Sequence, residues 1–444
     1  MSLWRHRRRA TTAQLSVLYP GIAPPPPAGG SACLGADVLG GGAWRFDPFD
    51  AYAAGLAANP NLIVFGDPGG GKSAAVKTMV HRWVGLHHRH QPARWVAICD
   101  PKGEYHALAR ALGLERLALR PGGPVRLNPL DPDNTDEDNT RLRQSALLAA
   151  IASCLLHRDL TPLEDAAIGW VIDTLLDHHG LVPTLVDAAR LLASPTAEMA
   201  QRAGTTPDGL ARSIEDLRFG LGKLLDRELR GMFDGHSTIG PAGGTGVVVD
   251  LSAVHGDPTI LGVVMAAATA WIASHLARRD GTQRIQVIDE AWALLANPAS
   301  VRHLQASWKL CRDYGVANIA IAHRIADLRA QADDGTALAK IATGLLSDTE
   351  TRILFRQAPD QIAEAKALLG LTTVEADLLP RLGRGRAIWK RPGASALVQH
   401  VVAPSEWRFA ATDAALLGRG PDFCDDLAVP AKFLPVATRG ELAS

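Results

Sequence analysis

The chain has 444 residues, which is enough for two or three domains and a large core. Its 46 basic residues balance its 46 acidic residues, which excludes a chain whose overall charge attracts nucleic acid but leaves a local basic surface open. Five scattered cysteines without C-x-x-C spacing argue against a disulfide framework or a cysteine metal site and favour a reducing compartment.

Residues 1–43 are predicted to be a tail. Four arginines in the first nine residues precede four consecutive prolines and a glycine-rich stretch, a composition that buries too little to fold alone. No apolar segment of the signal-peptide type follows the basic tip. Contact of that tip with acidic lipid or nucleic acid is one interpretation, and simple solvation is the other.

The next stretch carries a phosphate-binding motif. An apolar run, Leu62–Phe65, leads into GDPGGGKS at 66–73, which matches G-x-x-x-x-G-K-S between a strand and a helix. Lys72 should reach the β- and γ-phosphates, and Ser73 should bind Mg²⁺. The predicted nucleotide-binding residues are Asp67, Pro68, Gly69, Gly70, Gly71, Lys72, Ser73 and Ala74. The alternative is a glycine-rich turn with a chance lysine.

A second strand, Arg94–Asp100, ends in the sequence DPKGEY. Ligands of open α/β sheets bind beyond the carboxyl ends of strands, so Asp100, Lys102 and Glu104 are placed to face the nucleotide or a neighbouring subunit. Ordinary turn chemistry of Asp-Pro and Lys-Gly explains the same residues equally well.

From residue 136 to 235 the apolar residues recur at helical spacing, which predicts an all-helical insertion. Thr161 and Pro162 are typical of a helix start. Four histidines in and beside this region fit no metal-ligand spacing, so solvated or capping histidines are favoured: His157, His178, His179 and His236.

The α/β pattern then resumes with a strand over Gly246–Val254 and an apolar segment over Ile260–Ala277, which we interpret as a buried helix rather than a membrane span. The strand Ile285–Ile288 ends in Asp289-Glu290. Asp289 would order Mg²⁺ through Ser73 or water, and Glu290 would orient or deprotonate the attacking water. The alternative is a helix start capped by acidic residues.

A further strand ends at His323, which would sense the γ-phosphate or hold the water, with a loop histidine as the alternative. Arg312, Arg352 and Arg356 are candidates for a charge donated into a neighbouring subunit's site, and a surface arginine is the default for each. Two apolar runs flanking Pro392-Gly393 predict a β-hairpin.

The motifs GDPGGGKS, ICDPKGEY, VVVDLS, IDEAWALL and IAHRIADL, in this order, resemble the HerA–FtsK superfamily of ring ATPases, and within it the TraC-like cytoplasmic ATPase of type IV secretion and conjugation systems. The resemblance covers residues 44–404. It implies an α/β, RecA-like P-loop NTPase with a mostly parallel central sheet and an inserted all-helical domain. The expected domains are 44–135 and 236–410 for the ATPase, 136–235 for the insertion and 411–444 for a C-terminal tail.

The same resemblance implies a Mg²⁺-dependent ATPase with ATP as its nucleotide, a hexameric homo-oligomer, and membrane secretion-channel proteins as partners. It implies a cytoplasmic protein that works at the inner face of the cell membrane. Two departures stand out: a short tail replaces the family's large amino-terminal domain, and His323 replaces the family's usual glutamine. Arg312 matches an arginine that precedes the same strand in relatives.

Three functional hypotheses follow. The first is a motor that energises assembly or substrate transfer in a conjugative or type IV-like apparatus. The second is a DNA translocase or coupling ATPase, supported by the basic residues of the hairpin region: Arg381, Arg384, Arg386, Lys390 and Arg391. The third is a slow nucleotide-dependent switch or scaffold. DNA-stimulated hydrolysis with steep salt dependence would favour the second, and activation on assembly would separate a motor from a switch.

Overall fold

A computed structural model describes residues 31–85, 94–132, 137–177, 182–225, 229–238, 244–295, 298–323 and 344–411. The strands are β1 (Cys33–Asp37), β2 (Ala43–Arg45), β3 (Leu62–Phe65), β4 (Arg94–Asp100), β5 (Glu115–Ala118), β6 (Gly246–Asp250), β7 (Gln283–Ile288), β8 (Val316–Ala322), β9 (Thr351–Leu354), β10 (Arg386–Arg391) and β11 (Ala394–His400).

The α-helices are α1 (Pro48–Ala53), α2 (Lys72–Gly85), α3 (His106–Leu112), α4 (Glu137–Leu156), α5 (Pro162–Asp177), α6 (Leu185–Ala193), α7 (Ala197–Arg202), α8 (Pro207–Ser213), α9 (Glu215–Lys223), α10 (Pro258–Leu276), α11 (Trp292–Leu295), α12 (Pro298–Lys309), α13 (Cys311–Tyr314), α14 (Ile362–Leu369), α15 (Thr373–Leu378) and α16 (Trp407–Ala410). Short 3-10 helices lie at Ser252–Val254, Pro359–Gln361, Leu379–Arg381 and Pro404–Glu406.

The chain divides into two compact units. Among the described residues, the first unit holds those up to residue 85 and those from 350 onward, and the second holds those from 94 to 349. The strands of the first unit follow the order β2-β1-β11-β10-β9-β3. There β3 and β9 run parallel, and the other neighbours are antiparallel. The predicted hairpin is confirmed, because Arg391 pairs with Ala394 across Pro392-Gly393.

Aromatic side chains fasten the amino-terminal part of the first unit to its sheet. The ring of Trp389 in β10 lies 5.0 Å from Phe46 and 5.7 Å from Trp44. Phe46 in turn lies 6.3 Å from Trp83 of α2, whose indole N–H donates to the Phe46 carbonyl at 2.8 Å. Edge-to-face aromatic pairs add to the free energy gained from buried area alone. The side chains of Trp44 and Phe46 in the segment 44–49, WRFDPF, which precedes β3, therefore pack in an aromatic cluster.

Order in the first unit begins earlier than residue 44. Strand β1 lies within the range 1–43 that we predicted to be a tail, and it pairs antiparallel with β11. A side chain at Gly35 would meet the Gln399 carbonyl oxygen at 2.1 Å, so glycine here permits close strand approach rather than marking a linker. The rest of the tail up to residue 30, and the C-terminal tail from 412, lie outside the described residues.

The second unit contains a sheet of order β8-β7-β4-β6-β5, in which every neighbouring pair is parallel. Cys99 pairs with Ile288, and Asp100 pairs with Asp250. The carboxyl ends of β4, β6 and β7 therefore share one edge, where α/β sheets bind ligands. These strands are buried along nearly their whole length, as expected for parallel strands covered on both faces. Strands β4 and β6 are mostly apolar, whereas β7 also buries Arg284 and Gln286.

Helices α4 to α9 follow one another between β5 and β6, as the helical periodicity of residues 136–235 predicted. Helix α5 begins as expected at Pro162, where Thr161 Oγ1 accepts from the Glu164 N–H at 3.2 Å. The apolar segment predicted at Ile260–Ala277 is helix α10, which packs against α4. In the part of the chain that the structure describes, no helix is long and apolar enough to cross a membrane.

Candidate active site

In the first unit, the phosphate-binding motif forms the loop between β3 and α2. The four apolar residues of β3 are fully buried and end at Phe65. Helix α2 begins at Lys72 and runs for 14 residues. The first amide N–H groups of a helix have no partner within the helix and point along its positive dipole end. The motif thus lies between a strand and a helix start, the local context that anion binding at a helix N-terminus requires.

Two glycines give the loop its path. Gly69 and Gly71 have φ values of +76° and +103°, which residues with a side chain rarely adopt. A side chain at Gly71 would also meet the backbone nitrogen of Gly385 at 3.1 Å, whereas the space beside Gly69 is open. The Gly385 N–H donates to the Gly70 carbonyl at 2.9 Å. The turn before β10 therefore braces the tip of the loop.

Lys72 folds back onto its own loop. Its ammonium donates to the carbonyl of Gly66 and, at 3.1 Å, to that of Asp67. The residue is 5% exposed. An ammonium has three donors and no acceptor, so the loop carbonyls stabilise a charge that would otherwise be buried at high cost. Lys72 is thus held by the carbonyls of the loop that precedes it.

The three candidate arginines occupy different places. Arg356 is exposed and follows β9, and its carbonyl accepts from the Asp67 N–H at 2.8 Å, so it lies beside the phosphate-binding loop of its own unit. Arg352 is partly buried in β9 and donates to the Leu369 carbonyl at 3.2 Å. Arg312 is exposed in α13, which precedes β8, and so lies at the opposite end of β8 from His323.

In the second unit, the predicted acidic pair follows β7. Asp289 is 5% exposed. Its Oδ2 accepts from the Tyr105 hydroxyl at 3.2 Å, and its Oδ1 accepts from the Glu290 N–H at 2.9 Å. Both donors are neutral. Burial and the neighbouring Glu290 charge raise the pKa of Asp289 to about 6. A buried carboxylate with neutral donors suits a cation, which would offset the penalty of its burial.

Glu290 has three side-chain partners. Its Oε1 accepts from Lys102 and lies 2.8 Å from His323 Nε2, and its Oε2 accepts from the Trp292 indole N–H. Burial alone would raise the pKa of Glu290, but the hydrogen bonds from His323 and Lys102 lower it to about 2. The residue is therefore a carboxylate at neutral pH. His323 is the predicted sensor residue, and the structure brings it to the acidic pair.

The DPKGEY sequence forms a capped turn, as its turn chemistry predicted, and whether it faces a nucleotide or a neighbouring subunit stays a prediction. Asp100 is fully buried and caps the turn, because its carboxylate accepts from the N–H groups of Glu104 and Tyr105 at 3.1 and 3.0 Å. Lys102 projects from this turn to Glu290, and Tyr105 projects to Asp289. The turn thus positions two side chains at the acidic pair. The sequence patterns assigned no role to Tyr105, and only its place at the end of the motif could have suggested one.

A second carboxylate at the same sheet edge has a structural role. Asp250, in the VVVDLS motif, lies 2.6 Å from Arg116 Nη2 and 2.9 Å from His106 Nε2, and it accepts from the Ser252 N–H at 2.9 Å. Burial alone would raise its pKa, but the hydrogen bonds from Ser252, Arg116 and His106 lower it to about 2. Asp250 thereby ties α3 and β5 to β6.

Among the described residues, no group of three or more His, Cys, Asp or Glu side chains is arranged to hold a metal ion. Magnesium at a phosphoryl-transfer site needs no such group, because it takes one or two carboxylates and completes its shell with substrate phosphates and water. Asp289 fits that requirement. His157 and His236 are exposed, and His178 and His179 lie outside the described residues.

No family model and no curated protein matches this chain. Solved structures do match. VirB4 of Thermoanaerobacter pseudethanolicus superimposes with a TM-score of 0.68 at 20% identity, over 85% of this chain and 98% of that chain. The bacterial conjugative coupling protein TrwB superimposes with a TM-score of 0.54 at 15% identity, over 77% of this chain and 86% of that chain.

TrwB has also been solved with ADP and Mg²⁺, where its TM-score against this chain is 0.55 at 15% identity, over 77% of this chain and 86% of that chain. At these identities the likeness establishes the fold. This chain therefore has the α/β, RecA-like P-loop ATPase fold of VirB4 and TrwB. The α/β fold with a mostly parallel sheet that the sequence led us to expect is thereby confirmed.

Proposed function

We propose that the protein is a Mg²⁺-dependent ATPase that works as a motor in a conjugative or type IV-like secretion apparatus. The observation that carries this proposal is that one chain holds both a phosphate-binding loop after β3 and a buried Asp-Glu pair after β7, in a fold shared with VirB4 and TrwB. A phosphate-binding loop alone serves many reactions, whereas the acidic pair favours hydrolysis by water.

In the proposed reaction, the backbone from Asp67 to Ala74 cradles the phosphates and Lys72 offsets their charge. Ser73 and Asp289 would hold Mg²⁺, which when bound would supply positive charge beside the phosphates. Glu290 orients the attacking water and accepts its proton. His323 holds Glu290 in place, in line with their 2.8 Å contact.

The test is the rate of phosphate release from ATP by the full chain. Lys72→Ala and Glu290→Gln should each reduce turnover to a small residual rate while the circular dichroism spectrum and melting temperature stay close to those of the wild type. Matched controls change exposed residues of the same charge, Lys366→Ala in α14 and Glu198→Gln in α7, and should keep full activity. Hydrolysis retained by Glu290→Gln would remove the role proposed for that residue.

We further propose that the active form is a homo-oligomeric ring, a hexamer by resemblance, that docks on membrane secretion-channel proteins at the inner face of the cell membrane. Arg312 is the favoured arginine donated to a neighbouring subunit, since it is exposed at the end of β8 remote from its own Glu290. Specific activity should rise with protein concentration. In mixtures with wild-type subunits, Arg312→Ala subunits should lower the ATPase rate of their wild-type neighbours, because they donate no arginine. Arg352→Ala subunits should leave that rate unchanged.

A DNA translocase or coupling ATPase is the second candidate, since the TrwB fold belongs to a plasmid coupling protein. The hairpin region offers DNA a smaller basic surface than the sequence suggested. Lys390 pairs with Glu375 at 3.1 Å, and Arg391 lies over the Trp44 ring, while Arg381 and Arg386 are exposed. Duplex DNA should accelerate ATP hydrolysis with a steep salt dependence if this candidate holds. Indifference to DNA favours the secretion motor.

A further inference from the structure

The backbone at Glu290 is held in an unusual conformation. Its φ is +52°, and the only other positive value among non-glycine residues that the structure describes is at His157. A residue with a side chain loses about 1–2 kcal/mol in this region. Such a conformation persists only where the surroundings fix it, and it occurs often at functional sites. The contacts around Glu290 therefore decide where its carboxylate points.

Three separate segments supply those contacts. Lys102 comes from the turn after β4, His323 from the end of β8, and Trp292 from the first turn of α11. The Glu290 side chain is 4% exposed. An ionised carboxylate offers about four lone-pair sites, so these three donors occupy most of them. Whatever water Glu290 activates must use a position that the three donors leave open.

Lys102 differs from the other two partners in what it contributes. It adds a full positive charge on a four-carbon stem, with a side chain that is 33% exposed. Its turn is fixed by the Asp100 cap and by Gly103, whose φ is +71° and whose missing side chain would lie 3.2 Å from Ser252 Cβ. A charge-assisted bond from a fixed turn both pulls and orients the carboxylate.

We propose that Lys102 is a positioning residue for ATP hydrolysis, which sets the orientation of the Glu290 carboxylate through their ion pair. This inference rests on the proposed ATPase function. Lys102 does not need to touch the nucleotide, so its removal should slow the chemical step and leave nucleotide binding intact. The position of Lys102 after a strand predicted only that it faces the nucleotide or a neighbouring subunit, and the ion pair with Glu290 points to this distinct task.

The test is a double-mutant cycle on turnover with Lys102→Met and Glu290→Gln. Lys102→Met should lower kcat about 10- to 100-fold, the usual cost of losing a group that orients a reacting residue, with KM for ATP unchanged. Lys102→Arg, which keeps the charge, should recover part of the rate. In the Glu290→Gln background, Lys102→Met should leave the residual rate unchanged. Lys366→Met, at an exposed position of α14, is the matched control and should have the wild-type kcat.

Two outcomes would overturn the proposal: an unchanged kcat in Lys102→Met, or an equal loss of rate in both backgrounds, which would mean that Lys102 acts without Glu290. A second double-mutant cycle with the same variants measures the melting temperature without nucleotide. It tests the Lys102–Glu290 ion pair even if the wild-type protein does not hydrolyse ATP. Lys102→Met should lower the melting temperature in the wild type and not in Glu290→Gln. An inactive wild type with this coupling intact refutes the ATPase function and keeps the pairing, whereas an absent coupling refutes the pairing itself.

Discussion

Alanine substitutions at two glycines of the phosphate-binding loop should differ in cost, because the structure gives them different surroundings. Both positions have positive φ, +76° at Gly69 and +103° at Gly71. The conformational penalty for alanine is about 1–2 kcal/mol at either site. At Gly71 the new methyl group would also lie 3.1 Å from Gly385 N and 3.3 Å from Gly385 Cα, and crowding against backbone adds about 1–3 kcal/mol.

We therefore expect Gly69→Ala to lower the free energy of unfolding by about 1 kcal/mol and Gly71→Ala to lower it by about 3 kcal/mol. Urea denaturation followed by tryptophan fluorescence measures both, since Trp83 and Trp389 report on the same unit. Gly69→Ala is the control for conformational strain alone. Equal losses in the two variants would refute the reasoning that the turn at Gly385 braces the loop.

Other outcomes follow from the same contacts. Arg82→Met should lower the free energy of unfolding by about 3 kcal/mol, because Arg82 donates to the largely buried Glu406 at 2.9 Å and to two carbonyls. Urea denaturation measures this loss, with Arg212→Met, which changes an exposed arginine, as the control. Equal stability of the two variants would contradict the prediction. Burial and the Arg82 charge lower the pKa of His400 to about 3. The free energy of unfolding should therefore fall as the pH is lowered from about 6.5 towards 3. Melting temperatures measured across this pH range should show the loss in the wild type and a smaller loss in His400→Phe. Tyr105→Phe should weaken Mg²⁺-dependent nucleotide binding severalfold by removing the hydroxyl donor of Asp289, and a loss of equal size without Mg²⁺ would contradict this role.

The sequence predicted those parts of the fold whose signal is local. Strands β3 and β4 are contiguous apolar runs that end in recognisable motifs, and the hairpin of β10 and β11 carries its own turn. Strand β1 escaped prediction because its short sequence, CLGAD, is glycine-rich and its partner β11 lies far along the chain. Glycine there allows Gly35 to approach Gln399, a reason that no local pattern contains.

The candidate site was predictable in its residues but not in its contacts. Lys72, Asp289 and Glu290 stood out because their motifs occur after strands. That Lys102 and Trp292 hold Glu290 depends on how β4, β7 and α11 meet in space. A helix start capped by acidic residues was the alternative for Asp289-Glu290, and their burial beside polar partners is what the sequence could not supply.

The basic residues of the hairpin show the same limit. Their clustering in sequence suggested a nucleic-acid surface. Lys390 instead pairs with Glu375, and Arg391 is partly buried over the rings of Trp44 and Phe46. Charge counted along a strand thus overestimates the charge that a partner would meet, because neighbouring strands and helices neutralise or cover part of it.

We propose that Lys72 and Asp289 serve one Mg²⁺-bound nucleotide, and calorimetric titration of the full chain with ADP, with and without Mg²⁺, tests this central proposal most directly. Lys72→Ala should weaken binding at least tenfold in either condition. Asp289→Asn should weaken binding only when Mg²⁺ is present, and the double variant should lose less than the product of the single losses. Wild-type protein that binds no nucleotide, or an Asp289→Asn protein that keeps the full Mg²⁺ effect, would contradict the account.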